Sequence, residues 1–373
     1  VQVPLNDFRR QWRVIGPSVL GAVERVGASG RYVLGDEVSQ FERELANYWG
    51  LEHIVGVGNG LDAIEIALRC LGIQPGDRVL TTPLSAFATT LAILRSGGTP
   101  VFIDVDEAGL VDLGRCRDLL DRDRRIRFMV PVHLYGHVLD MEELRDLRDS
   151  RGLEVVEDCA QCIGASWEGI WAGTVGHASA VSFYPTKNLG ALGDAGAVLT
   201  VDPDVKTKAR ALRNYGQTDT YVHKHLGLNS RLDEIHAAIL RDALLPNLAK
   251  WQGCRAATAE QYISGLANPA IRIPPKPRGS SSVWHLFPII VDGAEKDGLV
   301  SHLRSQGVAT GSHYPILIPN QAALADSGGF EVVGELARAS EFAAGEVSLP
   351  IHPFLTPEEI SYVIDACNSW RPR

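Results

Sequence analysis

The chain has 373 residues, 45% of them hydrophobic, and a formal net charge of −9. That length supports a full core and two domains at about 100–200 residues each. The acidic balance, with no long Lys/Arg block, argues against nucleic acid and membrane partners. Six cysteines are too sparse for a disulfide scaffold. No stretch reaches the roughly 18 apolar residues of a membrane span, and the first ten residues lack the apolar run of a secretory signal. The expected location is the cytoplasm.

Helical and strand patterns alternate from the start. Phe41 to Trp49 reads as a helix, and the apolar strand Ile54 to Val57 runs into Gly58-Asn59-Gly60. Ile64, Ala67, Leu68 and Leu71 recur at helical spacing. Pro75-Gly76-Asp77 then turns the chain into a strand at Arg78 to Thr81. A helix from Phe87 to Leu94 leads to a strand at Pro100 to Val105. Further strands are expected at Arg127 to Val132 and Leu153 to Glu157, with a helix at Met141 to Arg148 between them. Ala178 to Phe183 and Gly196 to Thr200 read as two more strands. Continuous apolar strands separated by helices predict an α/β fold with a mostly parallel sheet covered on both faces. Asn229 to Trp251 reads as one long helix with Ser230 and Asp233 at capping positions. Beyond a Pro-rich segment at 273–277, the strand Trp284 to Val291 and helices at Leu299 to Gln306 and Pro357 to Asn368 form a smaller α+β unit. The division expected is 1–250 and 251–373.

One stretch carries most of the chemistry: Ser182-Phe183-Tyr184-Pro185-Thr186-Lys187-Asn188-Leu189-Gly190. A lysine that must lose its proton and attack a carbonyl needs a confined site and a tuned pKa. Asp158 follows a buried-type strand, at the carboxyl end where ligands gather in open sheets. A carboxylate there suits a pyridine nitrogen, which it keeps protonated so that the ring withdraws electrons; taken alone, Asp158 reads as a helix cap. Gln161 suits the ring's phenolic oxygen. Gly58-Asn59-Gly60-Leu61-Asp62 joins a strand to a helix, a geometry that suits a phosphate, but it matches neither a Walker loop nor a dinucleotide fingerprint. The cofactor these candidates suit is pyridoxal 5'-phosphate (PLP). Cys159 and Cys162 form a Cys-x-x-Cys without a second pair, and His133 lacks a partner at metal spacing. The two cysteines read as packing residues and His133 as a packing or substrate-contact residue, and no metal is expected.

The runs Glu157-Asp158-Cys159-Ala160-Gln161, Ser182 to Ala191, Gly193-Asp194-Ala195-Gly196-Ala197, Arg213-Asn214-Tyr215-Gly216, Asn229 to Glu234, His313-Tyr314-Pro315 and Ser348 to Pro353 together resemble the nucleotide-sugar aminotransferases of the DegT/StrS family. The resemblance covers nearly the whole chain. It implies a fold type I PLP enzyme with a large, mostly parallel seven-stranded sheet and a smaller C-terminal α+β domain. By the same resemblance, Lys187 is the Schiff-base lysine, Asp158 the partner of the pyridinium, Gln161 a contact of the ring oxygen, and Phe87 the stacking residue. Ser182, Gly60 and Leu61 would hold the phosphate, with Asp62 just inside that helix. Asn229 would reach the phosphate in a neighbouring subunit, and Arg231, His313 and Tyr314 would face the substrate. The chain departs from the family pattern at Ile163, where His is frequent, at Cys159 and Cys162, where alanine is usual, and at Ala86, where a hydroxyl is common.

The activity implied is transfer of an amino group from L-glutamate to a keto-sugar on a nucleoside diphosphate, by a homodimer with shared sites. Similarity leans toward dTDP-3-keto-6-deoxyhexoses, led by Arg213 to Gly216 and Tyr221 to Lys224, with a 4-keto nucleotide sugar next and a keto-cyclitol third. A PLP-binding regulatory protein on the same fold is the reading of a different class. A dehydratase is disfavoured because such relatives carry His at the Lys187 position.

Overall fold

The computed structural model describes residues 1–325 and 329–372. The main sheet takes five strands from the alternating N-terminal region: β1 (His53–Val57), β2 (Arg78–Thr81), β3 (Thr99–Ile103), β4 (Ile126–Val130) and β5 (Glu154–Asp158). Ala178–Ser182 and Gly196–Thr200 join them. The order across the sheet is β1, Gly196–Thr200, Ala178–Ser182, β5, β4, β2, β3. Gly196–Thr200 is antiparallel to both of its neighbours, and every other pairing is parallel. Near-continuous burial along these strands is what a sheet covered on both faces requires.

An eighth strand departs from the seven expected. Glu331–Val333 pairs in parallel with Val101 to Ile103 at the far edge. It comes from the C-terminal third, and at three residues it has no periodicity to read in sequence. Phe330, Leu324 and Ile318 pack with Phe102 and Phe87, tying that returning segment to the large sheet.

The helices α1 (Phe8–Ser29), α2 (Asp36–Trp49), α3 (Gly60–Cys70) and α4 (Phe87–Arg95) lead into and cover the sheet. α1 has no counterpart in the sequence-based expectation. It buries Ile15, Val19, Ala22 and Val26 while exposing Phe8, Trp12 and Leu20, and it contains Pro17, so no single apolar stripe marks it. The expected long helix over 229–251 is also different. A regular helix begins only at Glu234, widens over Leu240–Leu244 and tightens at Leu245–Asn247. It then runs on as Leu248–Gly265. Pro246 lacks a backbone donor and breaks the ladder there. Neither Ser230 nor Asp233 caps it: the Ser230 hydroxyl accepts from Gly58 N at 3.0 Å, and Asp233 makes no side-chain cap bond.

Position 250 lies inside the helix Leu248–Gly265. Beyond it, Phe287, Ile289, Leu299, Leu303, Val347, Leu349 and Val363 gather in a core of their own. That core is built on the antiparallel pair Phe287–Ile290 and Glu346–Leu349. Other residues of the same region, including Leu286, Leu317 and Phe342, join the core of the large sheet. Among the described residues, no helix is long and apolar enough to cross a membrane.

Candidate active site

Strand register builds the site. Val57 and Ser182 both pair with Gly196, and Asp158 pairs with Ala180. The carboxyl ends of β1, β5 and Ala178–Ser182 therefore lie along one edge, where open α/β sheets bind ligands. At the end of β1 the chain enters α3 through Asn59, whose side chain accepts from Asp62 N at 2.8 Å and caps the helix. Two glycines make this junction possible. A Cβ on Gly60 would lie 2.7 Å from Ser182 Cβ, and one on Gly196 would lie 2.5 Å from the Asn59 carbonyl carbon. The first N–H groups of α3 thus converge beside the Ser182 hydroxyl, as a phosphate cradle requires. Gly60, Leu61 and Ser182 come together as expected. Asp62 does not offer its carboxylate there, because it accepts from Asn59 Nδ2 at 3.0 Å and pairs with Arg95 at 3.3 Å.

Asp158 is buried at the end of β5. One carboxylate oxygen accepts from the Thr89 hydroxyl at 2.7 Å and the other from Ala160 N at 3.0 Å. Each oxygen keeps a further lone pair for a ring N–H. Thr89, on α4, is held in turn by the Ser85 hydroxyl at 3.1 Å. Sequence reading missed Thr89: its one signal is its place two residues after Phe87, in the first turn of the same helix. Phe87 is half-buried and packs beside Phe102 and Ile318.

Lys187 stands in the turn after Ser182, its N–H donating to the Tyr184 carbonyl at 2.8 Å. No hydrogen bond reaches its ammonium among the described residues. Burial pushes its pKa down to about 8, against the opposing attraction of Asp158 and Cys162. A lysine in that state has a substantial neutral fraction near neutrality and can serve as nucleophile and base.

Gln161 is committed at both ends of its amide. Its Oε1 accepts from Tyr135 N at 2.7 Å, and its Nε2 donates to the Tyr314 hydroxyl at 3.1 Å. The second Nε2 hydrogen is left for a ring oxygen. The Tyr135 hydroxyl donates to the His313 carbonyl at 2.6 Å, so Gln161, Tyr135, His313 and Tyr314 form one connected group. His313 and His285 both feel the Lys187 charge, and burial with that charge holds the His313 pKa down at about 4. Both rings stay neutral at physiological pH.

Asn229 is exposed beside Asn214, to which its backbone is bridged. The same segment exposes Tyr221 (89%) and Leu226 (91%), large apolar side chains that the described residues leave open to solvent. Arg231 reaches Asn214 Oδ1 at 3.0 Å and lies over the Tyr215 ring at 5.2 Å. Its backbone abuts Gly58, which brings Arg231 to the phosphate turn. Arg213 has a structural role. It is buried, donates to Glu42 Oε1 at 2.7 Å and to the Gly56 carbonyl at 2.8 Å, and so ties α2 to β1.

His133, Glu157 and Cys159 cluster closely enough to suggest a metal, but their lone pairs are taken. Glu157 accepts from Val175 N, Gly176 N, Gly173 N and His133 Nε2. Leu139 N donates to His133 Nδ1 at 3.2 Å. Burial works to raise the Glu157 carboxyl, yet His133 and the glycine N–H groups hold it below the usual range. Burial also pushes the Cys159 and Cys162 thiols up, which makes them inert. This is packing around a satisfied carboxylate.

A neutralisable lysine near a buried carboxylate, beside a helix-end cradle, fits the aldehyde, the ring nitrogen and the phosphate of PLP. Comparison with known proteins agrees. A model of the DegT/DnrJ/EryC1/StrS aminotransferase family matches residues 14–368. The dTDP-3-amino-3,4,6-trideoxy-alpha-D-glucose transaminase of Streptomyces venezuelae is 42% identical over all of this chain and 97% of its own length. A protein of Geobacillus stearothermophilus named "pleiotropic regulatory protein" is 37% identical over 98% of this chain and 97% of its own. The solved structure of S. venezuelae DesV with a ketimine intermediate superposes with a TM-score of 0.94 at 42% identity, covering 99% of this chain and 98% of that one. Fold and match over nearly the whole length lead to one conclusion: the chain belongs to the DegT/DnrJ/EryC1/StrS aminotransferase family and is a PLP-dependent sugar aminotransferase.

Proposed function

We propose that this enzyme transfers the amino group of L-glutamate to a dTDP-linked 3-keto-6-deoxyhexose. The observation that carries the substrate is the full-length 42% identity to a transaminase of a dTDP-3-amino sugar. The site's polarity supports it as well: Arg231 offers a cation at the turn next to Gly58, although the whole chain is acidic.

The reading assigns roles to this chain's own residues. PLP, when bound, supplies an electron sink that lets a proton leave the carbon bearing the transferred amine. Asp158, steadied by Thr89 and the Ala160 N–H, holds the ring nitrogen protonated. The first N–H groups of α3 and the Ser182 hydroxyl hold the phosphate, and Phe87 covers a ring face. Lys187 would be the covalent attachment point; once free, its Nζ would carry a proton from the α-carbon of glutamate to the cofactor in the first half-reaction, and from the cofactor to the sugar carbon in the second. Positioned acid–base help of this kind is worth about 10²–10⁴-fold. Asn229 reaches a second subunit's site, and the exposed Tyr221 and Leu226 support an interface there. The six cysteines are all free, which supports a reducing, cytoplasmic setting.

Borohydride treatment of PLP-loaded protein should fix the vitamin to Lys187, read by peptide mass, and Lys187→Ala should keep its fold while losing turnover. Label on another residue, or unchanged turnover, contradicts the assignment. Offering the amine-loaded enzyme 3-keto and 4-keto dTDP-sugars decides the acceptor; turnover of the 4-keto compound alone overturns the 3-keto choice. The name of the Geobacillus relative favours one rival, a regulatory PLP binder. Sustained amino transfer from glutamate excludes it for this chain.

A further inference from the structure

We propose that Glu346 and Ser348 act as a relay that fixes the tautomer of His313, so that its Nε2 presents a lone pair as the acceptor for a hydroxyl of the keto-sugar. This deepens the reading above and rests on it for the identity of the ligand.

Glu346 and Ser348 are two apart on the strand Glu346–Leu349, so their side chains share one face, and both are fully buried. The Ser348 backbone exchanges hydrogen bonds with Gly311 at 3.0 and 2.9 Å, which docks the segment carrying His313 against the strand. The Ser348 hydroxyl donates to Glu346 Oε1 at 2.5 Å, and the other Glu346 oxygen accepts from His313 N at 2.6 Å. His313 Nδ1 lies 2.8 Å from the same hydroxyl. A hydroxyl has one proton. With that proton directed at Glu346, the Ser348 oxygen can only accept from the ring, so Nδ1 carries the hydrogen. Because the ring is neutral, Nε2 is then bare.

No described residue hydrogen-bonds to Nε2. With Thr186, His285 and Leu349, His313 lines a cavity of about 100 Å³ beside the Lys187 turn. The Tyr135 hydroxyl donates to the His313 carbonyl and anchors the backbone there, while the bond to Ser348 holds the ring itself. A lone pair in this position repels carboxylate and phosphate and attracts a donor. The donors on the substrates proposed above are the sugar hydroxyls, the thymine N–H and the glutamate ammonium; the ammonium is the reacting group and the base lies beyond the diphosphate, which leaves a sugar hydroxyl.

The charged and titratable groups facing Glu346 are Lys296, whose ammonium donates to Ser312 Oγ at 2.8 Å, together with Tyr135, Tyr314 and His313. Burial raises the Glu346 pKa to about 7, so the test is made at pH 8.5, where the carboxylate form prevails.

Holoenzyme labelled with ¹⁵N-histidine should show His313 as the Nδ1–H tautomer, assigned by loss of its signals in His313→Gln. An Nε2–H tautomer in the wild type overturns the proposal whatever the substrate proves to be. Ser348→Ala should release the tautomer, and Ser348→Thr should restore it. In kinetics, Ser348→Ala should raise KM for the keto-sugar about tenfold, the size of one lost hydrogen bond, while changing the glutamate half-reaction less than about twofold. Equal loss in both half-reactions, or in neither, contradicts the relay. If wild-type enzyme aminates no keto-sugar, the functional reading fails, and the tautomer measurement still decides the relay.

Discussion

Thr89→Val is the most informative single change to the catalytic centre. Valine matches threonine in shape, so the backbone of α4 and the packing around Phe87 are preserved. The hydroxyl, however, makes a 2.7 Å bond to Asp158 and a 3.1 Å bond with Ser85. The first is charge-assisted and worth about 1.5–3 kcal/mol, the second about 1 kcal/mol. Stability should fall by roughly 2–4 kcal/mol, measured by urea melts of the PLP-loaded protein. If the Asp158 bond is expressed fully in holding the ring nitrogen, kcat/KM for glutamate should fall about 10–100-fold, at about 1.4 kcal/mol per decade. Thr89→Ser should recover most of both losses. The decisive assay is a double-mutant cycle with Asp158→Asn. A neutral amide removes the charge that makes the Thr89 bond strong, so Thr89→Val should cost clearly less in that background. Additive losses would refute the idea that Thr89 works through Asp158.

Two further changes probe the cradle and the lysine. Gly60→Ala sets a methyl against Ser182 Cβ at 2.7 Å, so the start of α3 must shift away; PLP affinity should drop about tenfold or more in absorbance titrations, and unchanged affinity would contradict the cradle. In cofactor-free protein, Lys187 has a folded pKa of about 8 against 10.5 for an ordinary lysine. The unfolded chain then binds more protons between pH 8 and 10.5, so this group's contribution to stability rises with pH across that window and is flat below it. Lys187→Met should accordingly be more stable than wild type at pH 7, by at most roughly 3 kcal/mol at ~1.4 kcal/mol per pH unit. That advantage should shrink by pH 10.5. A constant gap between the two melts would show that the ammonium is not desolvated.

Local pattern was enough for the frame of this protein. β2 and Gly196–Thr200 fall where alternation of apolar runs and turn residues puts them, because a strand buried on both faces writes its own signature. Lys187, Asp158, Ser182 and Gly60 were singled out by ordered motifs that resemble a family, since Asp158 alone reads as a helix cap, and the strand register brings their segments to one edge of the sheet. Contacts between distant segments had no such signature. Thr89 meets Asp158 across 69 positions, and Tyr135 meets His313 across 178. The three-residue strand Glu331–Val333 exists only because β3 offers it an edge. Helix α1 hid behind apolar residues on more than one face, and Arg213, conspicuous in sequence, proved to be the partner of Glu42. A chain fixes which groups are available and what its own neighbours can shape. Which buried donor meets which buried acceptor is settled only when the strands take their order and the intervening loops close.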